Sequence, residues 1–328
     1  MKRSKSTSNY LRYIAIILAI VSVASIALFA LDMWDKKQGV FEGVEETLSD
    51  NITYNGKEYV LKENVETMLV LGLDTTDSQV GNSYKNDKQA DFIMLFVIDN
   101  DNKTCSAIQI NRDTMADIDV LGVAGDKVGT IKKQIALAHT YGNGSEVSCR
   151  NTANAVSRVL MNVDIDHFMS VTMDAVPAVN DLVGGVSVEI LEDFSNIDAT
   201  LVKGQTINLT GEQAMTYIRS REGMETPTHA NRLVRQKQYL NALFKKGQQC
   251  SKENEAFAAK AAAKVSEYMI SDCNANKLES FLNKISTYTM NEVKDIEGEY
   301  KQGEEFMEYY PEEDSVLNIV INAFYEEK

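Results

Sequence analysis

The chain has 328 residues, 44% hydrophobic and 25% charged, which is typical of a folded protein and excludes an intrinsically disordered one. Its formal net charge of −15 argues against a nucleic acid partner, because duplex binding needs a broad basic surface. The sequence has no Gly-x-Ser-x-Gly elbow, Walker loop or His-Glu-x-x-His motif, so serine hydrolases, nucleoside triphosphatases and zinc peptidases of those types lack their signatures.

An uncharged apolar segment, YIAIILAIVSVASIALFAL, stands near the N terminus. Its length is close to the ~20 residues with which a helix crosses a bilayer. Basic residues precede it and aspartates follow it, an asymmetry that keeps the N terminus in the cytoplasm. We therefore predict a cytoplasmic tail at residues 1–12, a transmembrane helix at residues 13–34 and an extracellular remainder, in a single-pass protein of the cell membrane. A cleaved signal peptide is the alternative interpretation.

Residues 35–66 are predicted to form a polar tether followed by a β-hairpin, since Asn55-Gly56 separates two alternating runs. Three apolar runs typical of buried strands come next: MLVLGLD, DFIMLFVID and CSAIQI. Four charged residues lie at or near the ends of these strands: Asp74, Asp91, Arg112 and Asp113. Ligands of open α/β sheets bind beside strand ends, so these four are candidate site residues.

Helix and strand patterns alternate through the rest of the chain. Helices are predicted at residues 131–142, 151–162 and 174–184, and strands at HFMSVTM and GVSVEI. Thr210 and Gln213 form a capping-box pattern that begins a short helix. Two further helices, one of them spanning residues 253–270, and an apolar C-terminal helix complete the pattern. The alternation indicates an α/β sandwich that forms one domain.

A basic stretch at residues 211–246 stands out in this acidic chain. Arg219 and Arg221 are two residues apart, so both would point to one face of an extended strand. The next four side chains fall at i, i+3, i+4 and i+7, which is one stripe of a helix: Arg232, Arg235, Gln236 and Tyr239. A strand face and a helix face that converge on one polyanion would explain this density, and a solvated basic surface is the alternative.

The charged residues at the strand ends have two interpretations each. Asp74 and Asp91 are candidate ligands of Mg²⁺ shared with phosphate oxygens, or else ordinary caps of turns and helices. Arg112 and Asp113 form either a surface ion pair or a guanidinium held over an anion by its neighbour.

Four cysteines are present: Cys105, Cys149, Cys250 and Cys273. Export would permit disulfides, and a bond between Cys105 and Cys149 is preferred because a predicted helix separates the other two. Four free thiols are the alternative. A zinc site is not expected, since no Cys-x-x-Cys pair occurs. His139 lies in an apolar helical pattern and is interpreted as a core residue.

Seven segments together resemble the LytR-CpsA-Psr family of wall-glycopolymer transferases, and they run in family order from about residue 68 to residue 246: MLVLGLD, ADFIML, INRDTM, QIALAHTYGNG, DLVGGVSV, LTGEQAMTYIRSR and NRLVRQKQYL. The resemblance implies an α-β-α sandwich with a central mixed sheet, in a single extracellular domain behind one transmembrane helix. That domain covers residues 67–328, with a motif core at 68–246 and a helical C-terminal part at 247–328.

The resemblance also implies an activity. Such enzymes transfer a glycopolymer with its phosphate from a polyprenyl-diphosphate carrier in the membrane to a hydroxyl of peptidoglycan, and the sandwich interior holds the lipid tail. The polymer itself, whether teichoic acid, capsule or another polysaccharide, is not specified by these motifs.

Roles are carried over residue by residue onto matching positions. Asp74 and Asp91 would bind Mg²⁺, and Arg112 with Asp113 would be the catalytic pair, Asp113 as a base or an orienting group. The diphosphate would be bound by one set of side chains: Arg112, Arg219, Arg221, Arg232, Arg235 and Gln236.

The chain departs from the family pattern at three places: Gln89 replaces an arginine, Gln134 replaces a lysine, and residues 228–231 replace Gly-Asp-Phe-Gly. These changes leave two other functions open. One is a non-catalytic binder or sensor of lipid-linked wall polymer, and the other is a pyrophosphatase that uses water as the acceptor.

Overall fold

The protein is described by a computed structural model that covers residues 48–74, 86–220 and 229–328, with the side chains of residues 229 and 230 left out. The predicted cytoplasmic tail and transmembrane helix and most of the tether lie outside these residues. Within the described ranges, no helix combines the length and apolar character needed to cross a bilayer. Residues Leu48–Lys328 form one compact unit.

The described strands are β1 (Asn51–Tyr54), β2 (Lys57–Leu61), β3 (Val65–Leu73), β4 (Ala90–Asp99), β5 (Thr104–Ile110), β6 (Met115–Leu121), β7 (Lys127–Gln134), β8 (His167–Thr172), β9 (Val186–Glu189), β10 (Thr206–Leu209), β11 (Met269–Ser271), β12 (Thr289–Met290), β13 (Lys294–Asp295), β14 (Gly298–Gln302), β15 (Met307–Pro311) and β16 (Tyr325–Glu327). The described α-helices are α1 (Glu146–Val159), α2 (Ala175–Leu182), α3 (Gly211–Arg219), α4 (His229–Glu253), α5 (Phe257–Ser266), α6 (Ala275–Thr287) and α7 (Glu313–Phe324). A 3₁₀ helix spans Ile135–Thr140.

A mixed sheet lies at the centre, in the order β11-β8-β3-β4-β5-β12, with β13 also paired to β5. Strands β3, β4 and β5 are antiparallel neighbours, whereas β8 runs parallel to β3. Alternate residues of these strands point to opposite faces and bury both. Leu69 and Leu71 pack in one core layer with α1 and α7, while Met68 and Met94 pack in the other layer with α4 and α6. The predicted sandwich with a central mixed sheet is therefore confirmed.

Local signals in the sequence place several elements correctly. The hairpin β1–β2 turns at Asn55 and Gly56, which have positive φ angles of 51° and 76°. A capping box joins Thr210 and Gln213 at the start of α3. The C-terminal helix is α7. Short-range turn and cap chemistry decides these features, so they are readable without the tertiary structure.

Three predicted helical regions are wrong in part. Residues 131–134 belong to β7, which pairs antiparallel with β6, and only a 3₁₀ helix follows. The predicted helix at residues 253–270 is interrupted, because α4 ends at Glu253, α5 ends at Ser266 and β11 then pairs with β8. The C-terminal part at 247–328 contains six short strands as well as helices in the described chain. The pairing of β11 with β8 joins segments distant in sequence, whereas β7 pairs with its neighbour β6 across a short turn, and in both regions strand pairing overrides a local helix pattern.

The prediction of an extended strand at Arg219 is also wrong. Arg219 is the last residue of α3, because the helix that begins at the capping box continues through Ile218. Arg221 lies outside the described residues.

The preferred disulfide is contradicted, since all four cysteines are free. Cys105 is buried in the core layer that contains Met68, and Cys149 is buried in the layer that contains Leu69. The central sheet separates these two layers, so the thiols cannot meet. The interruption of the helix between Cys250 and Cys273 does not produce a bond either.

Candidate active site

The candidate site lies at one edge of the central sheet. Asp74 directly follows β3, and Asp91 is the second residue of β4. Because β3 and β4 are antiparallel, the end of one strand lies beside the start of the other, with Leu73 opposite Ala90. Strand β5 ends at the same edge and leads into Arg112 and Asp113. The topology therefore brings four of the predicted residues to one place.

Arg112 connects the strand ends. Its Nη1 donates to Oδ1 of Asp91, its Nη2 donates to Oε1 of Gln89 at 2.7 Å, and its Nε lies 3.5 Å from Oδ1 of Asp113. The side chains of Arg112 and Asp91 are both largely buried. Gln89, one of the departures from the family pattern, thus supplies a neutral acceptor for this guanidinium. A guanidinium with fixed carboxylate and amide partners keeps its fork in a defined orientation.

Helix α4 adds a second guanidinium to the same carboxylate. Nη1 of Arg232 is 4.0 Å from Oδ2 of Asp91, and Arg232 is only 4% exposed. Asp91 therefore lies between an arginine from the strand side and an arginine from the helix side. This is the convergence of a strand end and a helix face that the sequence pattern predicts, although the strand-side arginine is Arg112 and not Arg219.

Arg219 forms a separate and more exposed pair. Its Nη2 is 2.8 Å from Oδ1 of Asp74, and the two side chains are 53% and 40% exposed. Gln236 of α4 donates to the carbonyl of Ile218 at 3.3 Å, which fixes the end of the helix that carries Arg219. Gln236 thus contacts the backbone beside the arginine.

Arg235 lies apart from the acidic strand ends. Its Nε is 3.1 Å from Oε2 of Glu192, its Nη2 donates to the carbonyl of Ser220, and its guanidinium carbon stands 5.2 Å from the centre of the Phe194 ring. Burial lowers the pKa of Arg235, and the charge of Glu192 opposes that shift. These contacts indicate a structural role for Arg235. The geometry therefore does not support its predicted contact with a diphosphate.

Asp113 is oriented by residues that sequence reasoning did not assign to the site. Nε2 of Gln134 donates to Oδ1 of Asp113 at 3.0 Å and to the carbonyl of Met307 at 2.8 Å. The backbone N–H of Tyr309 donates to the carbonyl of Asp113 at 2.9 Å. The hairpin β14–β15 therefore contacts the segment that contains Asp113 and holds it in place. The replacement of a family lysine by Gln134 was visible in the sequence, whereas the hairpin contact was not.

A cavity of about 260 Å³ opens beside this segment, between α4 and the hairpin β14–β15. Most of its exposed wall is apolar and includes Leu233 and Tyr309, while Lys237 and Asp295, which pair with each other, also line it. At its rim Asn111 donates to the hydroxyl of Tyr300 at 2.6 Å. Burial raises the pKa of Tyr300, and the bond from Asn111 opposes that shift. A mainly apolar space thus adjoins the charged edge.

The donor chemistry at this edge fits a hard divalent cation. Asp74 and Asp91 offer carboxylate oxygens at neighbouring strand ends, and oxygen ligands are those that Mg²⁺ prefers. The arginines Arg112, Arg219 and Arg232 lie against these acids. A bound diphosphate would supply competing oxygens for the same guanidinium groups.

A family model described as the LytR_cpsA_psr family matches residues 35–322. The chain belongs to this family. The resemblance seen in the motifs is therefore confirmed, and the match extends beyond the motif core into the C-terminal helices and strands.

Relatives and solved structures agree with this assignment. A protein of Bacillus anthracis named polyisoprenyl-teichoic acid–peptidoglycan teichoic acid transferase TagU is 27% identical over 221 residues, which are 67% of this chain and 65% of the relative. The matched region spans about half to two thirds of the length of the curated relatives. The crystal structure of Bacillus subtilis TagV has a TM-score of 0.60 and 25% identity, covering 80% of this chain and 97% of TagV.

A structure described as TagT bound to LI-WTA superposes with a TM-score of 0.60, covering 80% of this chain and 91% of TagT. At 18% identity it shows a shared fold and nothing finer.

Proposed function

We propose that this protein transfers a phosphate-linked glycopolymer from a polyprenyl-diphosphate carrier to a hydroxyl of peptidoglycan. Membership of the family and the names of relatives such as TagU support the reaction class. The single observation that carries the proposal is the position of Asp91 between Arg112 and Arg232, at the sheet edge that also holds Asp74 and Arg219. Two guanidinium groups around one carboxylate at a strand end are suited to a ligand with several anionic oxygens.

The arginines would bind and orient the diphosphate. Arg112 and Arg232 are largely buried, so their interaction with phosphate oxygens takes place in a low effective dielectric and is stronger than at the surface. Because they are held before the substrate arrives, they stabilise charge that develops on the phosphoryl oxygens at little reorganisation cost. Arg219 and Arg221 would cover the more exposed side of the same ligand.

Asp113 would act on the acceptor. It is held by Gln134 on one oxygen and lies beside Arg112, so its carboxylate has a fixed direction. In this proposal Asp113 orients the peptidoglycan hydroxyl and accepts its proton while that oxygen attacks the phosphorus nearer the sugar. The bond that breaks joins this phosphorus to the bridging oxygen, which leaves with the polyprenyl phosphate.

Asp74 and Asp91 would hold Mg²⁺, which when bound neutralises charge on the phosphoryl oxygens. The mainly apolar cavity beside the charged edge would accommodate the first part of a lipid tail. The predicted transmembrane helix at residues 13–34 would keep the enzyme in the cell membrane beside its donor, with the catalytic unit outside the cell.

The decisive experiment uses the full chain in detergent with a polyprenyl-diphosphate-linked oligosaccharide and peptidoglycan fragments. We expect a phosphodiester-linked product that forms with Mg²⁺ and stops with a chelator. Glycan phosphate released in place of a conjugate would instead identify a pyrophosphatase. Lipid retained unchanged, with or without Mg²⁺, would identify a binder or sensor and overturn the transferase proposal.

Two variants make this experiment specific for the site. Arg219→Ala should lower the transfer rate, and an unchanged rate would remove the role assigned to Arg219. Arg158→Ala is the matched control, since this arginine pairs with Asp119 away from the strand ends.

A separate experiment tests the donor. Mass spectrometry of lipid that copurifies with the full chain should detect an isoprenoid phosphate or diphosphate.

A further inference from the structure

Three potential metal ligands meet at the opposite end of the central sheet from the candidate active site. His167 is the first residue of β8, and Asp272 and Cys273 directly follow β11. Antiparallel pairing of β11 with β8, with Ser271 opposite Met169, brings the start of one strand beside the end of the other. His167 is opposite Met68 of β3, six residues before Asp74, which corresponds to about 20 Å of strand. The cluster is therefore distinct from the candidate active site.

The three donor atoms face one another. Nδ1 of His167 is 3.7 Å from Oδ1 of Asp272, and Sγ of Cys273 is 3.8 Å from the same oxygen. All three donor atoms lie within 4.8 Å of each other. Bonds of ~2.0–2.3 Å from zinc in a tetrahedral site place such donors roughly 3.4–3.6 Å apart. Small side-chain rotations would bring the observed atoms to that spacing.

The backbone around the cluster is held in place. The N–H of Phe168 donates to Oδ1 of Asp272 at 3.0 Å. Ser271 accepts from the N–H of Cys273 at 3.0 Å and donates to the carbonyl of Phe168 at 2.6 Å. Hydrogen bonds that orient a carboxylate and its neighbours are typical of the support around metal ligands.

Nδ1 of His167 is a buried nitrogen without a hydrogen-bond partner among the described residues. The carboxylate oxygen at 3.7 Å is too distant to serve as one. A buried polar atom without a partner costs about 1–3 kcal/mol. A cation between Nδ1, Oδ1 and Sγ would satisfy it.

We propose that His167, Asp272 and Cys273 bind a Zn²⁺ ion. The mixture of nitrogen, oxygen and sulfur donors favours zinc over Mg²⁺ or Ca²⁺, which select oxygen ligands. Binding releases the thiol proton of Cys273 to solvent and leaves a thiolate on the metal. Three protein ligands leave a fourth position for water.

The structural consequence is a link between distant parts of the chain. The ion joins the start of β8 to the segment that leads into α6, 105 residues further along. An ion that binds only the folded state raises stability in proportion to the logarithm of its concentration above Kd.

The test is a cobalt titration of the metal-free full chain in detergent. Co²⁺ reports the same donors as Zn²⁺, and a thiolate ligand gives a charge-transfer absorption in the near ultraviolet. We expect one equivalent to produce this absorption, Zn²⁺ to displace it, and the thermal unfolding midpoint to rise with added Zn²⁺. Absence of the absorption in the wild-type protein would overturn the proposal.

Matched variants assign the ligands. Cys273→Ser should abolish the absorption and weaken Zn²⁺ binding at least tenfold, and His167→Asn should weaken it similarly. Cys250→Ser is the control, because this half-buried thiol packs near Val183 in another part of the core. An absorption that persists in Cys273→Ser, or disappears in Cys250→Ser, contradicts the assignment. Asp91→Asn should keep the absorption, which separates this site from the one proposed for Mg²⁺.

Discussion

Helix α4 buries two arginines, one turn apart, in two different surroundings. Arg232 is 4% exposed and faces Asp91 at the edge of the central sheet, where Arg112 approaches from the other side. Arg235 is 1% exposed and lies between Glu192 and an aromatic ring, with a backbone carbonyl at its tip. The two residues are similarly buried and lie on the same face of α4, yet only Arg232 belongs to a cluster of charged groups at strand ends.

The difference shows that a buried guanidinium is not by itself evidence of an anion site. Around Arg235 one carboxylate, aromatic faces and a carbonyl compensate the charge, and all of them come from the protein itself. Around Arg232 the compensating carboxylate is shared with Arg112, which also lies beside Asp113, so these groups form one charged network at the strand ends. The following predictions separate these two environments, from the largest expected effect to the smallest.

Arg235→Ala should destabilise the fold by about 3–5 kcal/mol, since it leaves Glu192 buried without its partner. Denaturant unfolding of the full chain, monitored by far-ultraviolet circular dichroism, measures this change in the free energy of unfolding. Arg235→Met combined with Glu192→Leu should recover much of the loss, because removal of both charges avoids the uncompensated one. A stable Arg235→Ala protein that no longer binds lipid diphosphate would instead place Arg235 among the ligand contacts.

Arg112→Ala should lower the transfer rate roughly 100- to 1,000-fold, the range found when one preorganised donor to a developing anion is removed. Arg112→Lys should recover only part of the rate, because an ammonium cannot contact Gln89 and Asp91 as a fork does. The measurement is single-turnover formation of the peptidoglycan conjugate. Wild-type rates in both variants would remove Arg112 from the catalytic pair.

His139 provides a third buried basic group, and a backbone carbonyl accepts its hydrogen bond where Arg232 and Arg235 face carboxylates. Burial lowers its pKa from 6.5 to about 4, while its Nδ1 bonds to the carbonyl of Lys88 at 2.8 Å. Between these two pH values the unfolded chain binds the proton and the folded chain does not, so stability should fall as pH falls. The expected loss is ~3 kcal/mol between pH 6.5 and pH 4.

The comparison of wild type with His139→Asn isolates this effect. Carboxylates with a lowered pKa, such as Asp119, also reduce the stability of the fold when they are protonated in acid. This loss is the same in both proteins, so it cancels when their unfolding free energies are subtracted. Equal pH profiles of the unfolding free energy for the two proteins would show that His139 does not titrate in this window.

Gln134→Ala should produce the smallest effect, about a tenfold loss of transfer from a misplaced Asp113. Acceptor KM should rise as well as kcat fall, because Gln134 also bonds the hairpin at Met307. Gln134→Lys restores the family residue and a donor to Asp113, so it should retain most of the rate. A larger loss in the lysine variant than in the alanine variant would contradict this positioning role.

The short-range chemistry of the sequence was sufficient for much of the fold. The apolar runs of β3, β4 and β5, the Asn55-Gly56 turn and the Thr210 capping box depend on neighbouring residues, and each was predicted correctly. The charged residues that follow apolar strands were also readable as site candidates, because strand ends in such sheets lie at ligand sites.

Contacts between distant segments decided the rest. Strand β11 pairs with β8, and the hairpin β14–β15 reaches back to Asp113, neither of which a local pattern indicates. Arg232 and Arg235 lie in the same helical stripe, so the sequence pattern could not distinguish them. Their partners come from other elements.

The sequence by itself determined the strands and helices with a strong local pattern. It also determined that charged residues follow the apolar strands. The tertiary structure alone decided which arginine meets which acid, which face of the sheet each cysteine occupies, and that His167 meets Cys273 across 105 intervening positions. The physical reason is that these properties depend on contacts between residues far apart in sequence, which form only when the chain folds back on itself.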